Sequence, residues 1–193
     1  MNLEENKTLY IAVEAADEFE ILINGEKVTY DGRSWWKDSA FNQIDIKQYV
    51  HNGDNEIQLS RDFYQDQKVY DILFNDNVLE TELNKLTYNT ELESLYIIGD
   101  FGVISQSDYT YKERKAIFTD GPFVVVDAPE KVTSGDLTEQ GFCFFAEPLT
   151  LSQDIEVISI GDTRQILNLN KPDAVVVKVF VNNVAVKLLP WAP

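Results

Sequence analysis

The chain has 193 residues, 44% hydrophobic and 12% aromatic, enough for one domain of ordinary size or two small ones. Lys and Arg number 16 against 33 Asp and Glu, a formal net charge of −17. Such a field repels polyphosphate and anionic lipid, which excludes nucleic acid and membrane as expected partners. A single cysteine, Cys143, excludes an intrachain disulfide and a cysteine-based zinc site.

No basic segment followed by an apolar core marks a signal peptide, and no apolar run approaches the roughly 20 residues of a membrane helix. The lone thiol is compatible with the cytosol and leaves the compartment open. With 11 Phe, 9 Tyr and 3 Trp against one Met, the composition suits β packing better than a helical bundle.

In chain order, Leu9 to Val13 reads as a short apolar strand. Phe19 to Tyr30 reads as a hairpin, because Asn24-Gly25 between alternating apolar residues suits a two-residue type I′ turn. The register then sets Ile23 opposite Glu26, Ile21 opposite Val28 and Phe19 opposite Tyr30, giving one apolar face. Asp45 is placed to cap a short helical turn with Gln48 as its reciprocal partner, His51-Asn52-Gly53 ends that turn, and Glu56 to Leu59 alternates as the next strand. Val69 to Phe74 reads as a further strand, and Asn75 to Thr87 as a loop with one helical turn. Leu92 to Val103 returns to strand, with a bend at Gly99-Asp100-Phe101-Gly102, where glycine marks close backbone approach. Two short strands flank Asp120-Gly121-Pro122, a turn sequence.

The polar stretch Asp127 to Gln140 carries Pro and Gly and is the candidate boundary, dividing the chain into 1–128 and 129–193. Beyond it Gly141–Phe145, Leu149–Leu151, Glu156–Ile160, Gln165–Leu169 and Val175–Val181 read as strands. The chain also repeats itself: Ile21-Leu22-Ile23-Asn24-Gly25 has a counterpart in Val179-Phe180-Val181-Asn182-Asn183, and a tryptophan follows each. In the second ribbon Lys178 is expected opposite Lys187. Two copies argue for two related β modules, the first lacking its opening strands and the second incomplete.

Val/Ile-Asn-Gly, a tryptophan, Ile44-Asp45-Ile46 and Gly53-Asp54-Asn55-Glu56-Ile57 together resemble the galactose-binding-like β-sandwich (jelly-roll) domains of large bacterial glycoside hydrolases, the family-2-like enzymes above all. Gly99-Asp100-Phe101-Gly102-Val103, Asp120-Gly121-Pro122-Phe123 and Gln140-Gly141-Phe142-Cys143-Phe144-Phe145 resemble the region linking two such domains, where proline usually stands at the position of Cys143. The resemblance implies an all-β chain of two tandem sandwiches. It also implies a non-catalytic role, because in that family the acid and nucleophile sit in a separate domain to which nothing here corresponds. The implied partners are carbohydrate or the catalytic domain of the parent hydrolase.

A sugar site needs a flat aromatic face with polar groups at its rim. Arg33, Trp35, Trp36 and Asp38 follow the first hairpin, and Tyr64 lies with Arg61, Asp62 and Gln65 in a second polar-aromatic loop; these are the candidate carbohydrate-binding residues. Adjacent tryptophans on a strand point to opposite faces, so only one can join a core. The other has two roles open to it, a stacking platform or packing against a neighbouring domain. Asp100, Asp120 and Asp136 offer oxygens to a hard cation but lack the spacing of a calcium loop, so no cofactor is expected and a structural calcium ion has no support. His51 reads as a turn residue and Cys143 as an inert thiol in an apolar strand. The alternatives are a protein–protein interaction module and a small glycosidase in its own right.

Overall fold

The computed structural model describes residues 7–113, 116–156, 161, 166–169 and 174–189. The chain divides into two compact units that meet between Asp100 and Phe101. In the first unit the strands are β1 (Leu9–Glu14), β2 (Glu20–Ile23), β3 (Glu26–Lys27), β4 (Trp35–Trp36), β5 (Asp38–Asp45), β6 (Ile57–Ser60) and β7 (Tyr96–Gly99), with helices α1 (Gln67–Leu73) and α2 (Glu80–Leu83) before β7. The second carries β8 (Phe101–Ser105), β9 (Thr110–Lys112), β10 (Ala116–Phe118), β11 (Phe123–Asp127), β12 (Val177–Val181) and β13 (Val184–Leu189). Strand outweighs helix throughout. The sequence-based boundary at 128/129 falls inside the second unit, just after β11.

Two sheets build the first unit. One has the order β4-β5-β1-β7 and the other β3-β2-β6. Apolar β1 is central in its sheet: Ile11 sits opposite Ile44 on one side and Ile97 on the other. Leu9, Ile11, Val13, Ile44 and, just past β5, Ile46 are buried, as are Ile21, Ile23 and Val28 from the segments around the second sheet. The described core is this set, together with Ala12, Ala16 and Val69.

The Asn24-Gly25 turn forms as the dipeptide dictates, with φ of 52° and 82°. Ile23 pairs with Glu26, and the Val28 amide donates to the Ile21 carbonyl at 2.9 Å. The ladder of β3 stops at Lys27, so the expected pairing of Phe19 with Tyr30 does not extend the strand. Instead β6 joins the free side of β2, with Ile57 opposite Ile23 and Leu59 opposite Ile21.

The Asn24 side chain locks that junction. Its Oδ1 accepts the Glu56 amide at 3.0 Å, and its Nδ2 donates to the Tyr49 carbonyl at 2.8 Å and to Asn55 Oδ1 at 2.9 Å. Asn55 in turn accepts the His51 amide at 2.9 Å and donates to the His51 and Gly53 carbonyls. His51 is thus part of the turn. Asp45 accepts the Lys47 amide at 2.9 Å just ahead of the 3₁₀ turn Lys47–Tyr49, but the N-cap position of that turn is Ile46, with no side-chain cap bond, so the expected Asp45–Gln48 capping box is corrected to an Asx-type contact.

At the end of the first unit, a Cβ on Gly99 would stand 2.2 Å from the Thr8 carbonyl oxygen. The bend before Asp100 therefore accommodates no larger residue, which is the close approach that its glycine signals.

Several strand assignments are corrected. Val69–Phe74 is helical: the i, i+4 spacing brings Gln67 Nε2 to Asp71 Oδ1 at 3.0 Å and stacks Tyr70 on Phe74, while Val69 is buried. Gly141–Phe145 is a turn touching Val103 through one parallel bridge, and Leu149–Leu151 and the described part of Gln165–Leu169 form no ladder. Of Glu156–Ile160, residues 157–160 lie outside the described residues, as does Trp191. These runs are apolar without the sustained alternation that fixes a strand to one buried face.

The second ribbon exists, with Asn182 and Asn183 at φ of 48° and 66°. A bulge changes its register, so that Val179 pairs with Lys187 and Lys178 with Leu188, and the expected Lys178–Lys187 opposition is relieved. Its apolar residues stay open to solvent: Phe180 is 53% exposed and Val184 64%.

Replacing Asn24 separates its two contributions. Asn24→Gly keeps the positive φ and loses the side-chain bonds, lowering stability by about 1 kcal/mol. Asn24→Ala adds the cost of a left-handed alanine and loses about 2 kcal/mol. Urea unfolding of the two variants beside the parent chain checks both values; equal stability of all three would contradict them.

Candidate functional site

The side chains of alternate residues on β1, β5 and β7 fall on the face of the four-stranded sheet opposite Ile11 and Ile44. One cross-strand row holds Tyr96, Ala12 and Gln43; the next holds Ile98, Tyr10 and Asp45; on the other side stand Glu14 and Phe41. The Tyr96 ring lies 5.3 Å from that of Trp36 and 5.9 Å from that of Phe41, centre to centre. Strands β4 and β7 are the outer strands of the sheet, so these rings meet across it, in the region of Ala12, which is fully buried. Trp36 and Phe41 are half-buried and Tyr96 is exposed, so the cluster presents ring surface to solvent. The Lys37 ammonium sits 4.8 Å from the centre of the Trp36 ring.

The same face leads into an open cleft of about 510 Å³. It is lined by Tyr10, Gln43, Ile44 and Asp45 of β1 and β5, by a wall of Thr29, Tyr30, Asp31 and Ser34 from the connection after β3, and by Lys47 and Gln48 after β5. The wall is held by backbone contact, since the Gln43 amide donates to the Ser34 carbonyl at 2.9 Å. Tyr49 anchors it from beneath: its oxygen accepts the Thr29 amide at 3.2 Å and lies 3.4 Å from the Thr29 hydroxyl. Those two contacts, the hydroxyl first, lower the pKa of Tyr49 from the ordinary tyrosine value. Tyr30 moves the other way, raised first by burial and then by the charge of Asp17.

The residues singled out from sequence are distributed as follows. Trp35 and Trp36 do point apart. Trp36 joins the aromatic cluster, while Trp35, 57% exposed, pairs with Asn42 on the face that carries Val13. Asp38 opens β5, its Oδ1 accepting the Ala40 amide at 2.9 Å within the strand's first residues. Arg33 lies in the chain between the cleft residues Asp31 and Ser34 but does not line the cleft; its amide donates to Asp31 Oδ1 at 3.0 Å and its guanidinium is largely exposed. Tyr64 belongs to a different loop, laced to Asn89 and Thr90: the Tyr64 amide donates to Thr90 Oγ1 at 3.0 Å, and the phenol donates to Asp66. Gln43, Tyr96 and Tyr10 escaped notice in the sequence. The alternation Phe41-x-Gln43-x-Asp45 was the available signal, once β5 was recognised as beginning at Asp38.

A second concavity, about 360 Å³, surrounds Arg61. That guanidinium is already engaged, paired with Glu18, 5.1 Å from the Phe19 ring, and bonded to the Glu91 carbonyl at 3.3 Å. Among the described residues no three His, Cys, Asp or Glu side chains gather to hold a metal. Of the three aspartates considered for calcium, Asp100 accepts the Thr8 hydroxyl at 2.7 Å and Asp136 the Thr138 amide at 2.8 Å. In the second unit Cys143 is half-buried in its turn, 2.9 Å from the Tyr109 oxygen and 3.2 Å from the Val103 carbonyl.

No protein-family model, curated protein or solved structure matches the chain.

The cleft tyrosine provides a pH test. A phenol raised above 10.0 favours folding in its neutral form, so its contribution is complete below pH 10 and is lost as pH rises through the folded value. Tyr30→Phe should flatten that part of the alkaline loss of stability, read from urea midpoints at neutral and at alkaline pH. Parallel pH profiles for the variant and the parent would show that Tyr30 is not shifted.

Proposed function

We propose that the chain is a non-catalytic, carbohydrate-binding or scaffolding part of a bacterial glycoside hydrolase, built from two galactose-binding-like β-sandwich modules in tandem. The repeated Asn-headed ribbon supports the tandem reading, and the predominance of strand agrees with it. One observation carries the carbohydrate reading: the half-exposed Trp36–Tyr96–Phe41 cluster shares its sheet face with Tyr10, Gln43 and Asp45, which help line an open cleft. The C–H face of a pyranose packs on aromatic rings, and its hydroxyls exchange hydrogen bonds with amides, carboxylates and phenols. Gln43, Asp45, Tyr10 and Ser34 supply those groups. Lys37 covers part of the Trp36 ring, and moving it aside costs about 0.5–1 kcal/mol, less than a stacked ring returns.

A second reading, docking to a protein partner such as the parent enzyme's catalytic domain, draws on the second unit. There Phe123 and Phe144 meet edge to face at 4.8 Å while remaining 43% and 68% exposed.

Calorimetry with neutral mono- and oligosaccharides at millimolar concentration distinguishes the two. Sugar binding gives heat, Trp36→Ala weakens it by about tenfold or more, and Trp35→Ala, on the opposite face, leaves it unchanged. Absence of heat with every sugar would leave only the docking role.

A further inference from the structure

In the first unit the outer edge of β2 is filled by β6, with Ile57 opposite Ile23, Leu59 opposite Ile21 and Ser60 opposite Glu20. The Asn24 amide and side chain hold the entry of that strand, bonding the Glu56 carbonyl and amide. The corresponding edge of β12 is open: β12 and β13 form a two-stranded sheet, and no other strand among the described residues pairs with them. Asn182 stands at the position of Asn24, with the same left-handed backbone, φ 48° against 52°. Among the described residues its side chain makes no hydrogen bond.

The backbone of β12 is ready for a neighbour. Val181 and Val184 close the two-residue turn and exchange both their bonds, which turns the Phe180 amide and carbonyl outward. The bulge lies on β13, where Val186 is the extra residue, so the outer edge of β12 stays regular. Val181, at the position of the fully buried Ile23, is 50% exposed. Charge then selects the occupant. From Val177 to Leu189 the sequence holds two lysines and no acid, although the whole chain carries −17. Two copies of so acidic a chain repel, whereas a strand with an acid in the right place meets the opposite sign at Lys178.

We propose that the outer edge of β12 binds an extended segment of another polypeptide by strand addition, in the register that β6 adopts on β2. The segment carries apolar residues opposite Val181 and Val179 and an acid opposite Lys178. Asn182 Oδ1 accepts the amide of the residue just before the first apolar one, as Asn24 accepts that of Glu56. This holds whether or not the first unit binds sugar.

The test uses the full chain and a capped peptide copying Asp54–Ser60 with Ser60→Glu, read by amide hydrogen exchange and by titration. Saturating peptide slows exchange of the Phe180 and Asn182 amides about tenfold or more and leaves those of Leu22 and Asn24 unchanged. Ser60→Lys in the peptide weakens binding about threefold at low salt, a difference that shrinks as salt rises. Gln58→Pro in the peptide removes the amide that pairs with Phe180 and abolishes the protection. In the chain, Asn182→Gly keeps the turn and weakens binding about threefold. No protection at millimolar peptide, equal protection by the proline peptide, or equal binding of the glutamate and lysine peptides overturns the proposal. Protection of the same amides that rises with protein concentration alone puts a second copy on this edge and overturns the chosen occupant.

Discussion

The first unit depends on one asparagine. Asn24 occupies a backbone conformation that few residues accept, and this frees its side chain to reach back across the turn. From there it bonds the Glu56 amide, the Tyr49 carbonyl and Asn55, so the hairpin tip, the 3₁₀ turn and the start of β6 share one anchor. The register of β6 on β2 follows, and with it the burial of Ile21 and Ile23. Tyr49, fixed by its own carbonyl at one end, steadies Thr29 at the other, and so a turn contact propagates to the wall of the cleft.

The two Asn-headed ribbons show what the turn alone achieves. Both adopt positive φ at their tips and both form the first pairs of a ladder. The first joins a third strand and buries its apolar face; the second runs through a bulge and leaves Phe180, Val181, Val184 and Val186 exposed. Among the described residues, all the fully buried apolar side chains lie between Leu9 and Val69. A local sequence signal thus sets a hairpin, while burial needs the partner strand that the Asn24 network positions.

Much of the first unit was legible because its signals are local. Asn-Gly sets a turn, Asp45 bonds the amide that opens another, and the apolar run Leu9–Val13 and the alternation in Glu56–Leu59 mark strands. The helix at Gln67 was hidden because Val69-Tyr70-Asp71-Ile72-Leu73-Phe74 satisfies a short strand as well as a helix, and only the loop contacts around Asp66 decide it. Beyond Gly141 the apolar runs looked like strands, yet apolar content without a fixed neighbour does not set a ladder. At the site, the opposed tryptophans were foreseeable from the pleat. The partnership of Trp36 with Tyr96 was not, because it joins residues 60 positions apart through a sheet order that no local pattern encodes.

If the Asn24 junction organises the first unit, native-state amide hydrogen exchange should show it directly. The Asn24 and Glu56 amides, although near the surface, should exchange as slowly as those of Ile11 and Ile44, through the same global opening. Exchange of the Asn24 and Glu56 amides on the fast timescale of a fraying loop, with the β1 and β5 amides still protected, would contradict it.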